Sequence, residues 1–481
     1  MKFSRLFVKK SVATIQAESQ KSELKRTLSA ANLVSLGIGC IIGAGIFVMT
    51  GQAAAQYAGP AIMISFVLAG LCCAFAGLCY AELAAMLPVS GSAYSYSYAS
   101  MGEVVAWVMG WLLLLEYGVA SSTVAVGWSG YVVSFLANFG IYIPEALTQS
   151  TISLGDNHEI IFSNSFNLPA FLGILAVTGL LIVGVKESAT VNNIIVFIKV
   201  AVILLFIIVG FTYVDSANHT PFIPEADGDS FGWDGIVRGA GVVFFAYVGF
   251  EAVSTAAQEA KNPQRDMPIG IIGSLIVCTI LYMLVSYVLT GIVHYSVLDV
   301  PDPMAVAVDS IGVNWLTFFV KVGAIAGLSS VMMVLLFGQT RIFYTMSRDG
   351  LMPAAFHKVH DVFKTPHINT MVVGVIVAFI AAATPISILG HLVSLGTLTA
   401  FAMICFTVMY MRKTHPELER PFSVPFAPFT PVLGILLCAY LIYGLLSNPV
   451  TMQFYIFYLI AGIVVYFLYG YTHSKHHHIE E

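Results

Sequence analysis

Twelve stretches of this chain are apolar over roughly the 20 residues a helix needs to cross a hydrocarbon layer about 30 Å thick. They fall at 29–55, 60–87, 104–136, 168–185, 189–211, 232–257, 268–293, 314–340, 368–384, 387–410, 429–446 and 451–472. Inside such a layer peptide groups find no water, so each stretch must satisfy its own N–H and C=O groups as a helix. An all-α polytopic membrane protein with about 12 transmembrane helices is therefore predicted. Composition agrees, with 58% hydrophobic and 10% charged residues, where a soluble domain has about a quarter charged.

Lysine and arginine stay on the cytoplasmic side of inserted segments. With the amino terminus inside, 18 of the 21 basic residues are cytoplasmic, and the outer loops 137–167, 212–231 and 295–313 contain none. Those loops carry acids, among them Glu145, Asp156, Glu225, Asp299 and Asp302, so the net charge of -5 reports acidic outer loops and not a nucleic-acid partner. The expected placement is multi-pass in the cell membrane with both termini cytoplasmic. Residues 1–28 form a basic amino-terminal segment without the features of a removable signal peptide, and 473–481 form a polar tail. The seven cysteines all fall within predicted helices and their number is odd. Neither a disulfide framework nor a disulfide-linked partner subunit is expected.

Phosphate-loop, dinucleotide and zinc-protease signatures are missing from the sequence, so no enzyme, no cofactor and no metal is expected. The informative residues are glycines. "GIGCIIGAGIFV" places Gly37, Gly39, Gly43 and Gly45 inside the first apolar stretch, although each weakens a helix by about 1 kcal/mol relative to alanine. Close helix packing explains one Gly-x-x-x-Gly pair but not the cluster. The sixth stretch, "RGAGVVFFAYVGFEAVSTAAQEAKNPQ", places Gly249 and Glu251 at mid-membrane. Interruptions in the first and sixth helices mark an inverted-repeat transporter, whose half-helix ends converge on one site. Freed amides suit a carboxylate and freed carbonyls an ammonium, so a zwitterionic amino acid fits both.

"LKRTLSAANLVSLGIGCIIGAGIFVMTG", "AYVGFEAVSTAAQEAKNPQRDMPIGI" and "GQTRIFYTMSRDGLMP" resemble hallmark segments of the amino acid–polyamine–organocation superfamily. The likeness is to its cationic amino acid transporter branch, which includes bacterial proton-coupled permeases. That resemblance implies two inverted five-helix repeats, at 29–211 and 232–410, two further helices at 429–472, and transport by alternating access. It assigns Ile42, Gly43, Ala44 and Gly45 to the substrate's backbone site on helix 1. Phe245, Ala246, Tyr247 and Gly249 take the helix 6 portion, with Phe245 as an aromatic gate, and Leu328 falls where the family lines the side-chain pocket. Lys199 stands where proton-coupled members have a lysine beside helix 1.

Ionisable side chains at this depth cost at least about 2.5 kcal/mol, so each needs a reason. Lys199 lies some 15 Å into its helix by helical rise, near the midplane; it is read as the proton carrier, or as a tie to helix 1 carbonyls. For Glu116 three roles stay open: answering a cationic substrate, sharing the proton, or bonding across the bundle. Glu251 is read as a brace for the helix 6 break, Lys321 as able to reach the surface, and Glu82 as structural. Glu259, Arg265, Arg341, Arg348 and Asp349 are candidate inner-gate residues. The leading function is proton-coupled amino acid symport, with lipid, protons and an L-amino acid as partners. An amino acid or polyamine exchanger, and a channel or non-transporting sensor, are the alternatives.

Overall fold

The computed structural model describes residues 6–10, 28–87, 92–154, 160–184, 189–228, 230–255 and 260–475. Lys186, Glu259 and the histidine run after 475 lie outside them. α1 (Ala30–Ile41) is capped by the Ser29 hydroxyl, which accepts the Asn32 amide, and α2 continues the same pass over 45–58. Gly59, at φ +56, turns the chain back with Pro60 into α3 (Ile62–Met86). After α4 (Ser92–Ser100) come α5 (Glu103–Ala137), the hairpin β1 (Ile152–Leu154) and β2 (Ile160–Phe162), α6 (Leu168–Val183) and α7 (Ala189–Gly210).

The second half holds α8 (Gly232–Val243), α9 (Ala252–Thr255), α10 (Pro263–Ile292), α11 (Pro303–Ile311), α12 (Asn314–Arg348), α13 (His367–Ala383) and α14 (Ile386–Thr414). α15 (Phe429–Leu446) and α16 (Pro449–His473) complete the chain. Among the described residues eight helical stretches are long and apolar enough to cross a membrane, while α1, α6 and α13 are shorter apolar helices. α10 packs on α1 and α3, α12 on α5, and α13 on α6. Phe197 and Phe457, each 73% exposed, belong to an outward apolar surface suited to contact with lipid.

The expected stretches meet the observed helices with a few instructive differences. α12 and α14 run past 340 and 410 to Arg348 and Thr414, because their last turns are polar and leave the apolar layer. α10 begins at Pro263, and Pro268 lies in its second turn. α4 and α11 occupy segments read as loops. The serine–tyrosine repeat of α4 carries no helical apolar period, yet Tyr94, Tyr96 and Tyr98 are all buried.

Both described chain ends close on one face. Lys10 pairs with Asp349 at 3.5 Å, the Lys475 amide donates to the Asp349 carbonyl at 3.2 Å, and the Tyr94 hydroxyl donates to the Asp349 carboxylate at 2.9 Å. Glu103 accepts the Tyr466 hydroxyl at 2.9 Å and the Ser474 hydroxyl. On the same face Glu82 accepts Arg412, with Arg420 at 3.6 Å and the Val424 amide at 2.7 Å. The structural reading of Glu82 agrees with this.

The opposite face is closed by α11. Lys321, fully buried, donates to Asp309 at 2.8 Å and Asn138 at 3.2 Å, tying α11 and α5 to α12. Its surface reach therefore ends in an ion pair, not in water. Asp302, just before α11, is pushed up to about 6 by burial, against the pull of the Ser134 hydroxyl and the Lys321 ammonium. A carboxyl raised in the folded state stabilises fully below its ordinary value of 3.8 and loses that contribution as pH rises through about 6. The loss amounts to about 3 kcal/mol. Asp302→Asn should therefore melt like the wild type at pH 4 and above it at pH 7; parallel melting profiles across that range would refute the assignment.

Candidate functional site

Two interruptions meet at the centre of the bundle. α1 stops at Ile41; Ile42 is extended (φ -71, ψ 100), and its amide makes the last bond, to the Ile38 carbonyl. The chain resumes as helix at Gly45 in a wide turn over Gly45–Met49. In the sixth pass, α8 tightens over Phe244–Tyr247, Val248 is extended (φ -56, ψ 130), and Gly249 takes φ +117 before α9. Only glycine holds that conformation without strain, and a Cβ there would also lie 2.7 Å from the Cys40 carbonyl oxygen.

The breaks touch each other. A Cβ on Gly45 would fall 2.1 Å from the Ala246 Cα, so glycine is what lets the two backbones meet. A Cβ on Gly43 would meet only the Val331 side chain, at 3.2 Å. Packing and site are thus not alternatives for Gly45.

Side chains from four other positions satisfy the groups the breaks release. The Lys199 ammonium, 2% exposed on α7, donates to the Gly39 carbonyl at 3.0 Å. The Tyr282 hydroxyl on α10 lies 2.9 Å from the Ile41 carbonyl and 2.9 Å from the Ala246 carbonyl, sharing its one proton between the two broken helices. Glu251 accepts the Gly249 amide at 2.9 Å and the Tyr117 hydroxyl at 3.3 Å. The brace read for Glu251 is this contact. Tyr131 donates to the Phe47 carbonyl at 2.6 Å. The Phe47 amide donates to the Gly43 carbonyl at 3.3 Å, but the amides of Gly43, Ala44 and Gly45, at the start of α2, have no backbone acceptor among the described residues, and beside them lies a cavity.

That cavity, about 10 Å³ and so roomy enough for roughly one water molecule, is walled on one side by Cys40, Ile41, Gly43, Ala44 and Gly45. Phe245 and Val248 close it from the sixth pass, Val124 from α5, and Val331 and Leu335 from α12. Among the described residues no charged side chain lines it. Of the residues predicted from sequence, Gly43, Ala44, Gly45 and Phe245 are brought together here. Ile42, Ala246, Tyr247 and Gly249 are buried behind the lining, and the Tyr247 hydroxyl is bound to the Phe66 carbonyl at 2.8 Å. Leu328 is buried one turn away on α12, where Val331 takes the lining position. Glu116 is fully buried and faces Glu251, outside the lining. Among the candidate inner-gate residues, Asp349 joins the clasp of the chain ends, while Arg341 lies over the Phe337 ring.

A helical membrane bundle with two broken passes meeting beside a central cavity has the arrangement of a membrane transporter. Residues 28–467 match the amino acid permease family model, and the chain belongs to that family. It is 48% identical to the methylthioribose transporter of Bacillus subtilis (strain 168), over 98% of this chain and 99% of that protein. It is 46% identical to the branched-chain amino acid permease BcaP of the same organism, over 98% of each. Identity to the vacuolar cationic amino acid transporter 4 of Arabidopsis thaliana is 37%, over 82% of this chain and 64% of that one.

The contact between the breaks orders two substitutions. Gly45→Ala forces backbone apart and should cost the about 1–3 kcal/mol of an overpacked core, lowering the melting temperature in detergent. Gly43→Ala meets one side chain that can turn and should cost less than about 1 kcal/mol. Equal melting temperatures for the two variants would contradict the contact.

Proposed function

We propose that this amino acid permease imports small neutral or branched apolar L-amino acids by proton symport. The observation that carries this reading is the cavity itself. Backbone groups of the two breaks supply its polar side and Val124, Phe245, Val248, Val331 and Leu335 its apolar side. The α2 amides match the α-carboxylate through hydrogen bonds and the positive end of the helix dipole. Carbonyls of α1 and the Phe244–Tyr247 turn match the ammonium, and the apolar wall receives the side chain. A cationic side chain finds no acid in that wall, which weighs against the cationic reading of Glu116.

Further features support proton coupling. Lys199 holds the Gly39 carbonyl one residue from the cavity wall. Protonated, it steadies α1 in the shape that presents the α2 amides; deprotonated, it lets go, and substrate release follows proton release. Glu116 and Glu251, facing each other away from water, are a second place where a proton can be shared. In this reading the basic face with the chain ends is cytoplasmic, the α11 face is outside, and the halves 29–211 and 232–410 move against each other in the cell membrane. A charge crossing 100 mV releases about 2.3 kcal/mol, enough for more than a tenfold gradient at about 1.4 kcal/mol per decade.

A second reading, transport of a neutral thioether sugar, draws on the 48% identity to the methylthioribose transporter and on the uncharged lining. A ribose ring has no carboxylate for the α2 amides, which is why it ranks second.

Uptake into proteoliposomes separates these readings. Labelled L-leucine, L-isoleucine, L-valine or L-alanine should accumulate under an inward proton gradient and leave on addition of an uncoupler, with methylthioribose a poor competitor. Failure of all four amino acids, with strong competition by methylthioribose, would overturn the substrate assignment. Lys199→Ala should abolish accumulation while sparing exchange of preloaded substrate. Wild-type accumulation in that variant would place the proton elsewhere.

A further inference from the structure

A second cleft opens at the end of the bundle that carries the basic residues. About 180 Å³ in volume, it lies where α6 ends and α13 begins, which puts it at the membrane surface, and α12 runs along its wall. Its chemistry is divided. Leu181, Phe337 and Val359 make one side apolar, and Phe337 and Val359 are 46% and 45% exposed, open sideways with no protein cover. Arg341 and Lys364 bring positive charge to the other side.

Neither cation has a carboxylate partner among the described residues. The Arg341 guanidinium lies 4.7 Å from the centre of the Phe337 ring, a contact that leaves its N–H groups free to donate in its plane. Lys364 stands at φ +58, a costly backbone setting for a side chain other than glycine, on a loop stitched to α6 by the bond from the Thr365 hydroxyl to the Ile182 carbonyl, 2.7 Å. The lining threonines, Thr340, Thr365 and Thr370, have already given their hydroxyl protons to backbone carbonyls. The donors left over are Arg341, Lys364 and the Tyr344 hydroxyl, since the His367 and Thr370 amides at the start of α13 already bond the Thr365 and Pro366 carbonyls at 2.9 and 3.0 Å. A site with spare donors, two positive charges and an apolar side open to the hydrocarbon wants an anion that carries acyl chains.

We propose that this cleft binds the phosphate of an anionic phospholipid from the leaflet on the basic face, with its chains along Phe337 and Leu181. Arg341 is then a lipid ligand instead of a gate, and the bound lipid fastens α6, α12 and α13 together beside the transport path.

Native mass spectrometry of the full chain in detergent tests this, with dioleoyl phosphatidylglycerol, dioleoyl phosphatidylcholine and inorganic phosphate as probes. Phosphatidylglycerol should bind at least tenfold more tightly than phosphatidylcholine, and inorganic phosphate at the same concentration should not displace it. The double variant Arg341→Gln, Lys364→Gln should lose about tenfold in phosphatidylglycerol affinity; Lys364→Gln alone, in a surface loop, should lose about threefold. Lys358→Gln, which removes an exposed cation of the same loop outside the cleft, should bind as the wild type does. Undiminished binding by both Gln variants, equal binding of the two lipids, loss of affinity in the Lys358 variant as large as in the Lys364 variant, or displacement by inorganic phosphate would each overturn the proposal.

Discussion

A peptide group that leaves a helix inside a membrane must find another partner, and the centre of this molecule is organised around that demand. Two passes are interrupted at the same depth, and the groups they release are met one by one. Gly39 is answered by Lys199, Ile41 and Ala246 together by Tyr282, and Gly249 by Glu251. What is not answered by a side chain is the start of α2, and the cavity lies there. Each satisfied group rigidifies the break, and each unsatisfied one is a site for a ligand. Such a network costs much to leave incomplete in a dry interior, which gives the proposed substrate a structural part: it completes the hydrogen bonding of the fold while it is bound.

The glycines make this geometry possible by what they lack. Gly45 lets the first break lie against Ala246, and Gly249 lets the second lie against the Cys40 carbonyl. Movement of one broken pass is therefore transmitted to the other by contact, and through Tyr282 by a shared proton. Around this centre the two faces are closed by different means. Ion pairs of Lys321 and the buried Asp302 hold α11 on one side. On the other, the described ends of the chain gather on Asp349 and Glu103. The proposed alternating access requires these closures to open in turn, and both are built from charged or hydroxyl groups that water can replace.

Much of this was legible in the sequence, for physical reasons that can be named. Apolar length gave the passes, because the hydrocarbon thickness is a constraint every helix must meet. Gly43, Gly45 and Gly249 stood out because glycine is costly in a helix, and Lys199 because a charge is costly in a membrane. Tyr282 did not stand out: a tyrosine among 22 carries no local sign that its hydroxyl will span two helices. Val331 and Leu335 were missed in favour of Leu328 because the face of α12 turned to the cavity depends on its rotation in the bundle. That Glu116 is buried facing Glu251, 135 residues on, with no hydrogen-bond partner for its carboxylate among the described residues, is a tertiary fact that no local pattern carries. α4 escaped because its buried tyrosines are spaced as a strand would space them.

The central claim is that substrate completes the hydrogen bonds of the two breaks. A cryo-electron microscopy structure of the protein with L-leucine bound tests it most directly. The account predicts the carboxylate within hydrogen-bond reach of the amides at Gly43–Gly45, the ammonium against carbonyls of the broken segments, and the isobutyl group among Val124, Phe245, Val331 and Leu335. A ligand seated elsewhere, or one in the cavity that leaves those amides unbonded, would contradict it.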